Sequence, residues 1–134
     1  MLKVAASVIV KDGKILAARR KAERIGGGYW EFPGGKVEAN ETPKQACQRE
    51  VLEELGDEAE ILERLKVKRH YQTPYGSLEI DFFWTRLKTF NLKHVAASEY
   101  SWLTKEELWN VAWLEASKSA VSLIAQTNLE KYDE

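Results

Sequence analysis

Several features that often identify a protein class are nearly absent from this sequence of 134 residues. It has one cysteine, Cys47, which excludes an internal disulfide and a zinc site made of cysteines alone. Its formal net charge is −1, from 20 basic and 21 acidic residues, so it lacks the overall basic charge typical of nucleic-acid-binding domains. The apolar run Val4–Val10 is too short to cross a bilayer, which needs about 20 residues. These absences predict a soluble, cytoplasmic protein without nucleic-acid or membrane partners.

The length of the chain predicts one domain over residues 1–134, because domains of about 100–150 residues are common. Charge is unevenly distributed along it. Residues 1–40 contain eight basic and four acidic residues, whereas residues 41–63 contain eight acidic and two basic ones. Two solvated faces would explain this pattern. The alternative is a cation-binding helix beside a basic wall, which would suit a metal-chelated polyphosphate.

Local patterns predict a mixture of strands and helices. Strands are expected at Val4–Lys11 and Lys14–Arg20, joined by an Asp12-Gly13 type I′ turn, and at Ala59–Gln72, Ser77–Leu87 and Glu99–Leu103. A helix is expected from Pro43 to Leu55, because Thr42 and Gln45 match a capping box and Gly56 supplies a stop. A short helix after Thr104 and a last one over Ala116–Gln126 complete an α+β pattern in which helices cover a sheet.

The helix from Pro43 to Leu55 carries three glutamates on one face. Glu50, Glu53 and Glu54 stand at i, i+3 and i+4, where like charges repel by roughly 0.2–0.5 kcal/mol per pair. A hard cation such as Mg²⁺ would relieve that repulsion, because it prefers oxygen ligands and commonly binds one or two carboxylates together with substrate phosphates. The pattern alone is weak, since surface helices are often acidic, but it follows the Pro33-Gly34-Gly35 segment, which we expect to be a turn.

The residues from Gly35 to Asp57 resemble the signature of the Nudix hydrolases. The matching positions are Gly35, Glu41, Arg49, Glu50, Val51, Glu53, Glu54 and Gly56. Asp57 departs from the signature, which has a hydrophobic residue there, so we expect altered local packing with the metal site intact. The run from Trp30 to Lys36 is similar to the MutT branch, which acts on nucleoside triphosphates.

The resemblance implies a fold, an activity and a set of site residues. The fold would be an α/β/α sandwich with a mixed sheet. The activity would be Mg²⁺-dependent hydrolysis, with Mn²⁺ as a substitute, of a nucleoside triphosphate such as 8-oxo-dGTP to the monophosphate and pyrophosphate. Metal ligands would be Gly34 through its carbonyl, Glu50, Glu53 and Glu54, joined by His94. Glu50 or Glu53 would deprotonate the attacking water, Arg49 would orient a catalytic glutamate, and Glu41 would brace the loop against the helix.

The same resemblance indicates substrate contacts. Arg20 and Lys36 are candidates for the phosphates, and Ser117 stands where the family has a base-binding residue, commonly Asn or Asp. Phe32, Tyr75 and Trp113 are candidates for walls of the base site, although each is also an ordinary core aromatic. His70 is expected to be structural, and Trp30, Trp109 and Trp113 are expected to be partly exposed, where they would serve a dimer contact. The sequence leaves open whether the protein is a monomer or a homodimer.

Three hypotheses stay open. The first is the MutT-type pyrophosphohydrolase. The second keeps the family but changes the substrate to CTP or dCTP, a dinucleoside polyphosphate or a nucleotide sugar, because serine at position 117 offers fewer paired hydrogen bonds than an amide. The third is a nucleotide-binding module without catalysis, which the complete set of box glutamates disfavours.

Overall fold

Eight strands and two α-helices make up the described part of the computed structural model, which covers residues 1–89 and 97–133. The strands are β1 (Leu2–Lys11), β2 (Lys14–Arg19), β3 (Trp30–Glu31), β4 (Gly34–Lys36), β5 (Ala59–Arg64), β6 (His70–Thr73), β7 (Gly76–Leu87) and β8 (Glu99–Thr104). The helices are α1 (Pro43–Leu55) and α2 (Lys118–Ala125), with 3-10 helices at Lys105–Asn110, Glu115–Ser117 and Leu129–Tyr132.

The long strand β1 is the centre of a mixed sheet. It runs parallel to β7, where Leu2 pairs with Leu78 and Ile9 with Thr85, and antiparallel to β2 and β4. The order β3-β2-β1-β7-β5 is extended by β8 along β2 and by β6 along β7. The β1–β2 turn has positive φ angles at Asp12 (52°) and Gly13 (72°), which confirms the predicted type I′ geometry.

The two helices cover opposite faces of this sheet. Because side chains alternate along a strand, Ala6 and Val8 of β1 face the cluster that includes Val121 of α2. Ala5 and Ile9 point the other way, into the clusters formed with α1. The α+β sandwich with a mixed sheet predicted from the sequence is confirmed.

Helix α1 has the predicted bounds because both of its ends are capped as the sequence indicated. Thr42 Oγ1 accepts a hydrogen bond from the backbone N–H of Gln45 (3.1 Å), and Gln45 Oε1 accepts one from the N–H of Thr42 (2.8 Å). Gly56 ends the helix in the left-handed region at φ 70°, and its N–H donates to the carbonyl of Leu52 (3.0 Å). The buried stripe is Ala46, Cys47, Val51 and Leu55.

Two local predictions are wrong. The expected strand Ala59–Gln72 is divided into β5 and β6, which pair in succession with the 12-residue β7, because residues 65–69 between them form no strand. The segment Pro33-Gly34-Gly35 is not simply a turn, because β4 starts at Gly34 and pairs with β1. Its backbone finds hydrogen-bond partners in the central strand.

The start of the last helix and the exposure of two tryptophans also differ from expectation. A 3-10 helix over Glu115–Ser117 precedes α2, which begins at Lys118. Trp30 and Trp113 are 9% and 2% exposed, so they belong to the core and present no surface for a dimer, whereas Trp109 is 53% exposed. No helix in residues 1–89 or 97–133 has the length and apolar character needed to cross a membrane.

Candidate active site

Strand β4 brings two glycines into close contact with their surroundings. Gly34 pairs with Ala6 of β1, and a Cβ atom on Gly34 would overlap the backbone of Ala5. A Cβ atom on Gly35 would overlap the carboxylate of Glu50, which projects from α1. Gly34 therefore needs glycine for space, whereas a side chain at position 35 would displace the carboxylate of Glu50 from the strand.

Arg49 connects this strand, the loop before α1 and the helix itself. Its Nε and Nη2 atoms donate to the two carboxylate oxygens of Glu41 (2.8 and 3.0 Å), and Nη2 also donates to the carbonyl of Lys36 (2.9 Å). Nη1 lies 3.0 Å from Glu50 and 3.4 Å from Glu53. Arg49 and Glu41 are therefore placed to fix the position of Glu50 relative to β4.

These ion pairs shift the pKa values of both partners. The hydrogen bond from Arg49, aided by the backbone N–H of Glu38, lowers the pKa of Glu41 to about 2. Correspondingly, the hydrogen bond with Glu41 raises the pKa of Arg49. Both groups are fully charged at neutral pH.

Glu50 and Glu54 form a crowded pair of carboxyl groups. Burial raises the pKa of Glu50, against the opposing effect of Arg49. Burial, followed by the negative charges of Glu50 and Glu31, raises the pKa of Glu54 to about 8. Glu54 is hydrogen-bonded to Glu50 and to the backbone of Gly34. Ionisation of both carboxyl groups is unfavourable at this separation, and a cation bound between them would relieve that repulsion.

Glu53 lies at the outer edge of this group. Its side chain is 59% exposed, and one of its oxygens is directed towards Arg49. Among the described residues, no three carboxylate, histidine or cysteine groups are arranged so that they could hold a metal ion together. The glutamates of α1 thus consist of a close pair, Glu50 and Glu54, and a solvated neighbour.

A cavity of about 270 Å³ opens beside the carboxyl pair. All four predicted substrate contacts line it: Arg20, Phe32, Lys36 and Ser117. Glu54 and the two glycines of β4 form part of the same wall, so the acidic helix and the basic residues share one cavity. Phe32, Phe82 and Ser117 are 3%, 1% and 4% exposed and are among the most buried residues that line it.

Three further lining residues with polar side chains were not identified from the sequence. Glu31 accepts hydrogen bonds from Arg20 Nε (3.2 Å) and Nη2 (3.0 Å), and Tyr100 of β8 also lines the cavity. Arg24 lines the cavity from the loop between β2 and β3. No spacing or motif distinguishes Arg24 from the other basic residues near the start of the chain. Its position at the cavity depends on how the loop between β2 and β3 folds.

Other candidates lie elsewhere. His94 falls within residues 90–96, outside the described residues. Tyr75 is 76% exposed at the β6–β7 turn and does not line the cavity, whereas Trp113 is buried behind Phe32 with 4.8 Å between ring centroids. His70 contacts Glu79 (2.9 Å) on the neighbouring strand, in line with a structural role.

Asp57 departs from the Nudix signature for a local reason. It is 3% exposed, and its carboxylate accepts hydrogen bonds from the backbone N–H groups of Glu58 (2.8 Å) and Thr89 (3.0 Å) and from the Thr89 hydroxyl (3.0 Å). A hydrogen-bonded acid thus replaces apolar packing after α1, as expected. The position lies past the end of the helix that carries the carboxyl pair.

Comparison with known proteins agrees with this geometry. The NUDIX domain model matches residues 1–123. The CTP pyrophosphohydrolase of Escherichia coli K12 is 52% identical over 61 residues, which are 46% of this chain and 45% of that protein. A putative 8-oxo-dGTP diphosphatase 2 of Mycobacterium tuberculosis is 31% identical over 124 residues, covering 92% of this chain and 88% of that protein. The chain spans about half the length of the curated relatives that it matches at 52% identity.

A solved structure extends the likeness to nearly the whole chain. The solution structure of the E. coli ORF135 protein superposes with a TM-score of 0.73 at 32% identity, covering 97% of this chain and 91% of that one. The family model, the related sequences and the solved structure agree with one another. They also agree with the placement of the glutamates of α1 beside the glycines of β4. The chain belongs to the NUDIX domain family.

Proposed function

We propose that this protein hydrolyses a nucleoside triphosphate to the monophosphate and pyrophosphate in a reaction that depends on a divalent metal ion. One observation carries the proposal: Glu54, whose carboxyl group is paired with that of Glu50, lines a cavity together with basic residues and with almost fully buried apolar residues. Carboxylates suit the metal, cations suit the phosphates, and the buried apolar residues suit a base.

The donor set fits a hard cation. Members of this family generally use divalent metal ions. Glu50 and Glu54 supply two adjacent carboxyl groups, and Glu54 also accepts a hydrogen bond from the backbone N–H of Gly34 on β4. Glu53 precedes Glu54 directly on α1 and lies three residues after Glu50. We propose that the carbonyl of Gly34 joins these carboxylates as a ligand. Because the Glu53 side chain is 59% exposed, it has room to turn towards the pair. We propose Mg²⁺ as the ion, with Mn²⁺ as a substitute, since both accept oxygen ligands.

The side chains of the site are proposed to have different roles in the reaction. When bound, the metal ion lowers the pKa of a coordinated water and neutralises phosphate charge. Glu50 or Glu53 takes the proton of the attacking water at a carboxylate oxygen. Arg49 holds both glutamates at Nη1 and is itself fixed by Glu41. The oxygen of the attacking water bonds to a phosphorus atom within the triphosphate of the substrate. The P–O bond that joins the monophosphate and pyrophosphate parts of the substrate breaks.

The base is proposed to bind against the buried residues that line the cavity. There Phe32 offers an aromatic face, and the Ser117 side chain is almost entirely buried. Arg20 and Lys36 line the same cavity and are proposed to contact the phosphates. We propose a cytoplasmic location, because nucleotide substrates are found there.

A cytidine nucleotide is the second candidate substrate. It is favoured by the 52% identity over 61 residues to a protein named CTP pyrophosphohydrolase. The 8-oxo-dGTP hypothesis is favoured by the relative named for that substrate, which matches over 92% of this chain. Ser117 presents one hydroxyl to the base in either case, so this position alone does not choose between them.

The test is pyrophosphate release in Mg²⁺ from dGTP, 8-oxo-dGTP, CTP and dCTP, with a chelator control. Hydrolysis that the chelator abolishes is the expected result. Glu54→Gln should reduce turnover by about 10–100-fold or more, because even the loss of a residue that only supports a metal ligand commonly costs that much in metal affinity or activity. Glu58→Gln is the matched control, since Glu58 is exposed just beyond α1. Its carboxylate forms an ion pair with Lys88 and lies outside the lining of the cavity.

Two outcomes would contradict the proposal. Unchanged turnover in Glu54→Gln would remove Glu54 from the metal site. Nucleotide binding without release of pyrophosphate from any of the four substrates, in Mg²⁺ or Mn²⁺, would favour a binding module instead of an enzyme.

A further inference from the structure

The basic residues that line the cavity are not equivalent in their partners. Arg20 is paired with Glu31 through two hydrogen bonds, and its Nη1 donates to the carbonyl of Ile25 (2.7 Å). Arg24 and Lys36 also line the cavity, and neither has a carboxylate within ion-pair distance among residues 1–89 and 97–133. The positive charge that is not balanced by a local acid therefore comes from Arg24 and Lys36.

The loop that carries Arg24 is held by its own hydrogen bonds. The N–H of Arg24 donates to the carbonyl of Lys21 (3.1 Å), and the carbonyl of Arg24 accepts from Gly27 (2.9 Å). The N–H of Gly28 donates back to the carbonyl of Arg20 (2.9 Å). These closed turns fix the backbone of Arg24 at the cavity wall.

The sequence and packing of the loop support the same conclusion. Gly26 and Gly28 have φ angles of 77° and 86°, which glycine adopts readily. A Cβ atom on Gly26 would crowd the side chain of Leu114, the residue before the 3-10 helix that contains Ser117. The loop thus lies against the segment that carries Ser117 into the cavity lining, and Arg20 holds it through a hydrogen bond to the carbonyl of Ile25.

Burial along the cavity gives a bound nucleotide a direction. Of the residues that line it, Phe82, Phe32 and Ser117 are almost fully buried, whereas Arg24 and Lys36 are exposed. A flat, apolar base gains most from contact with the buried residues, and a highly charged polyphosphate is least costly where it stays hydrated. The part of the substrate farthest from the base is therefore the part that reaches the exposed cations.

We propose that Arg24 binds the terminal phosphate of the substrate and, together with Lys36, makes the site prefer a nucleoside triphosphate to a sugar-linked nucleoside diphosphate. A guanidinium without an acidic partner suits this contact, because it can donate two parallel hydrogen bonds to phosphate oxygens. Arg20, in addition to its proposed phosphate contact, holds the Arg24 loop through the carbonyl of Ile25. This inference rests on the proposed function, since it assumes that the cavity is the nucleotide site.

Kinetics of Arg24→Gln test the assignment. For the best triphosphate of the panel, KM should rise about tenfold or more, because a charge-assisted contact is lost, while kcat should change little. The inhibition constant of the corresponding nucleoside diphosphate should be nearly unchanged, since it lacks the terminal phosphate. Arg24→Lys should restore part of the loss. Lys21→Gln is the matched control, because it removes one positive charge from the same loop at a position that does not line the cavity.

A binding experiment separates failure of this inference from failure of the proposed function. Calorimetry with inorganic tripolyphosphate and Mg²⁺ needs no turnover, and Arg24→Gln should weaken its binding about tenfold relative to Lys21→Gln. If the wild-type protein hydrolyses no nucleotide yet this difference is found, the activity proposal fails and the anion contact stands. Equal KM and equal tripolyphosphate affinity in the wild type and Arg24→Gln would overturn the assignment, as would equal losses for the triphosphate and the diphosphate.

Discussion

Arg49 illustrates how single residues organise this site. Its guanidinium lies within 3.4 Å of oxygens from four different glutamates: Glu38, Glu41, Glu50 and Glu53. One cation therefore offsets part of the repulsion among acids on the helix and in the preceding loop. Glu41 holds Arg49 with two short hydrogen bonds, so it is the residue on which the position of Arg49 depends most.

Replacement of Glu41 by Gln should produce a pH-dependent loss of stability. The pKa of Glu41 is about 2 in the folded protein and 4.5 as an ordinary glutamate, so its ionised form stabilises the fold. That contribution is fully present above about pH 4.5 and is lost as the pH falls towards 2. The difference in Tm between the wild type and Glu41→Gln, followed by circular dichroism in the presence of chelator, should be largest near pH 6 and shrink below pH 4.5.

The control for this measurement is Glu58→Gln, which removes an exposed carboxylate of the same type. Its Tm difference should be small throughout the range. A Glu41→Gln difference that stays constant from pH 6 to pH 3 would show that the charge of Glu41 has no part in the effect.

At the scale of elements, α1 is the part of the fold that depends most on local sequence. Its capping box, the proline at its first position and the left-handed Gly56 define both ends without help from distant contacts. Its length then determines which residues face the sheet and which face the cavity. An error of one residue at the start would rotate the glutamates by about 100° away from β4.

Thr42→Ala should destabilise the protein by about 1 kcal/mol, because it removes the hydroxyl that accepts the N–H of Gln45. Thr42→Ser retains the hydroxyl and should lose much less. Urea denaturation of the two variants beside the wild type gives both values from the shift of the midpoint at constant slope. Equal stabilities of Thr42→Ala and Thr42→Ser would mean that the cap does not contribute.

The elements that were predictable from the sequence are those with local signals. Helix α1 and the Asp12-Gly13 turn carry their own caps and turn residues, so their observed bounds match the prediction. The division between β5 and β6 was not predictable, because it arises where two segments pair with one long distant strand. Strand β4 was likewise hidden, since its three residues become a strand only by pairing with β1.

The candidate site was likewise only partly predictable from the sequence. The spacing of the glutamates on α1 and their relation to Gly35 follow from helical geometry and from a short stretch of sequence. Arg24 and the pairing of Arg20 with Glu31 depend on how the β2–β3 loop folds back, which no spacing encodes. The burial of Trp30 and Trp113 is also a tertiary property, because their neighbours come from distant parts of the chain.

At the scale of the whole molecule, the last described residues are tied to the start of the sheet. The carboxylate of Asp133 accepts hydrogen bonds from the backbone N–H groups of Asp12 (3.1 Å) and Gly13 (2.7 Å), at the turn between β1 and β2. The ring of Tyr132 stacks on Trp84 of β7 with 4.2 Å between centroids. The segment after α2 thus covers the sheet and connects its two central strands.

Asp133→Ala should lower the free energy of unfolding by about 1 kcal/mol, because two turn N–H groups lose a charged acceptor and return to water. Asp133→Asn keeps one acceptor oxygen and should fall between this variant and the wild type. The measurement is again urea denaturation. A loss in Asp133→Asn as large as that in Asp133→Ala would assign the effect to charge alone, and no loss in either would contradict the contact.

The burial of Cys47 makes chemical modification of its thiol a marker of local opening of the fold. The residue is fully covered between α1 and the sheet, and burial raises the pKa of its thiol to about 12, so the folded protein presents no reactive thiolate. Opening of α1 away from the sheet would separate the carboxyl groups of the site and expose the Cys47 sulfur to solvent. Oxidation or alkylation of Cys47 would therefore accumulate with the time that the protein spends in this open, inactive form, and the modified fraction of an aged preparation would report that time.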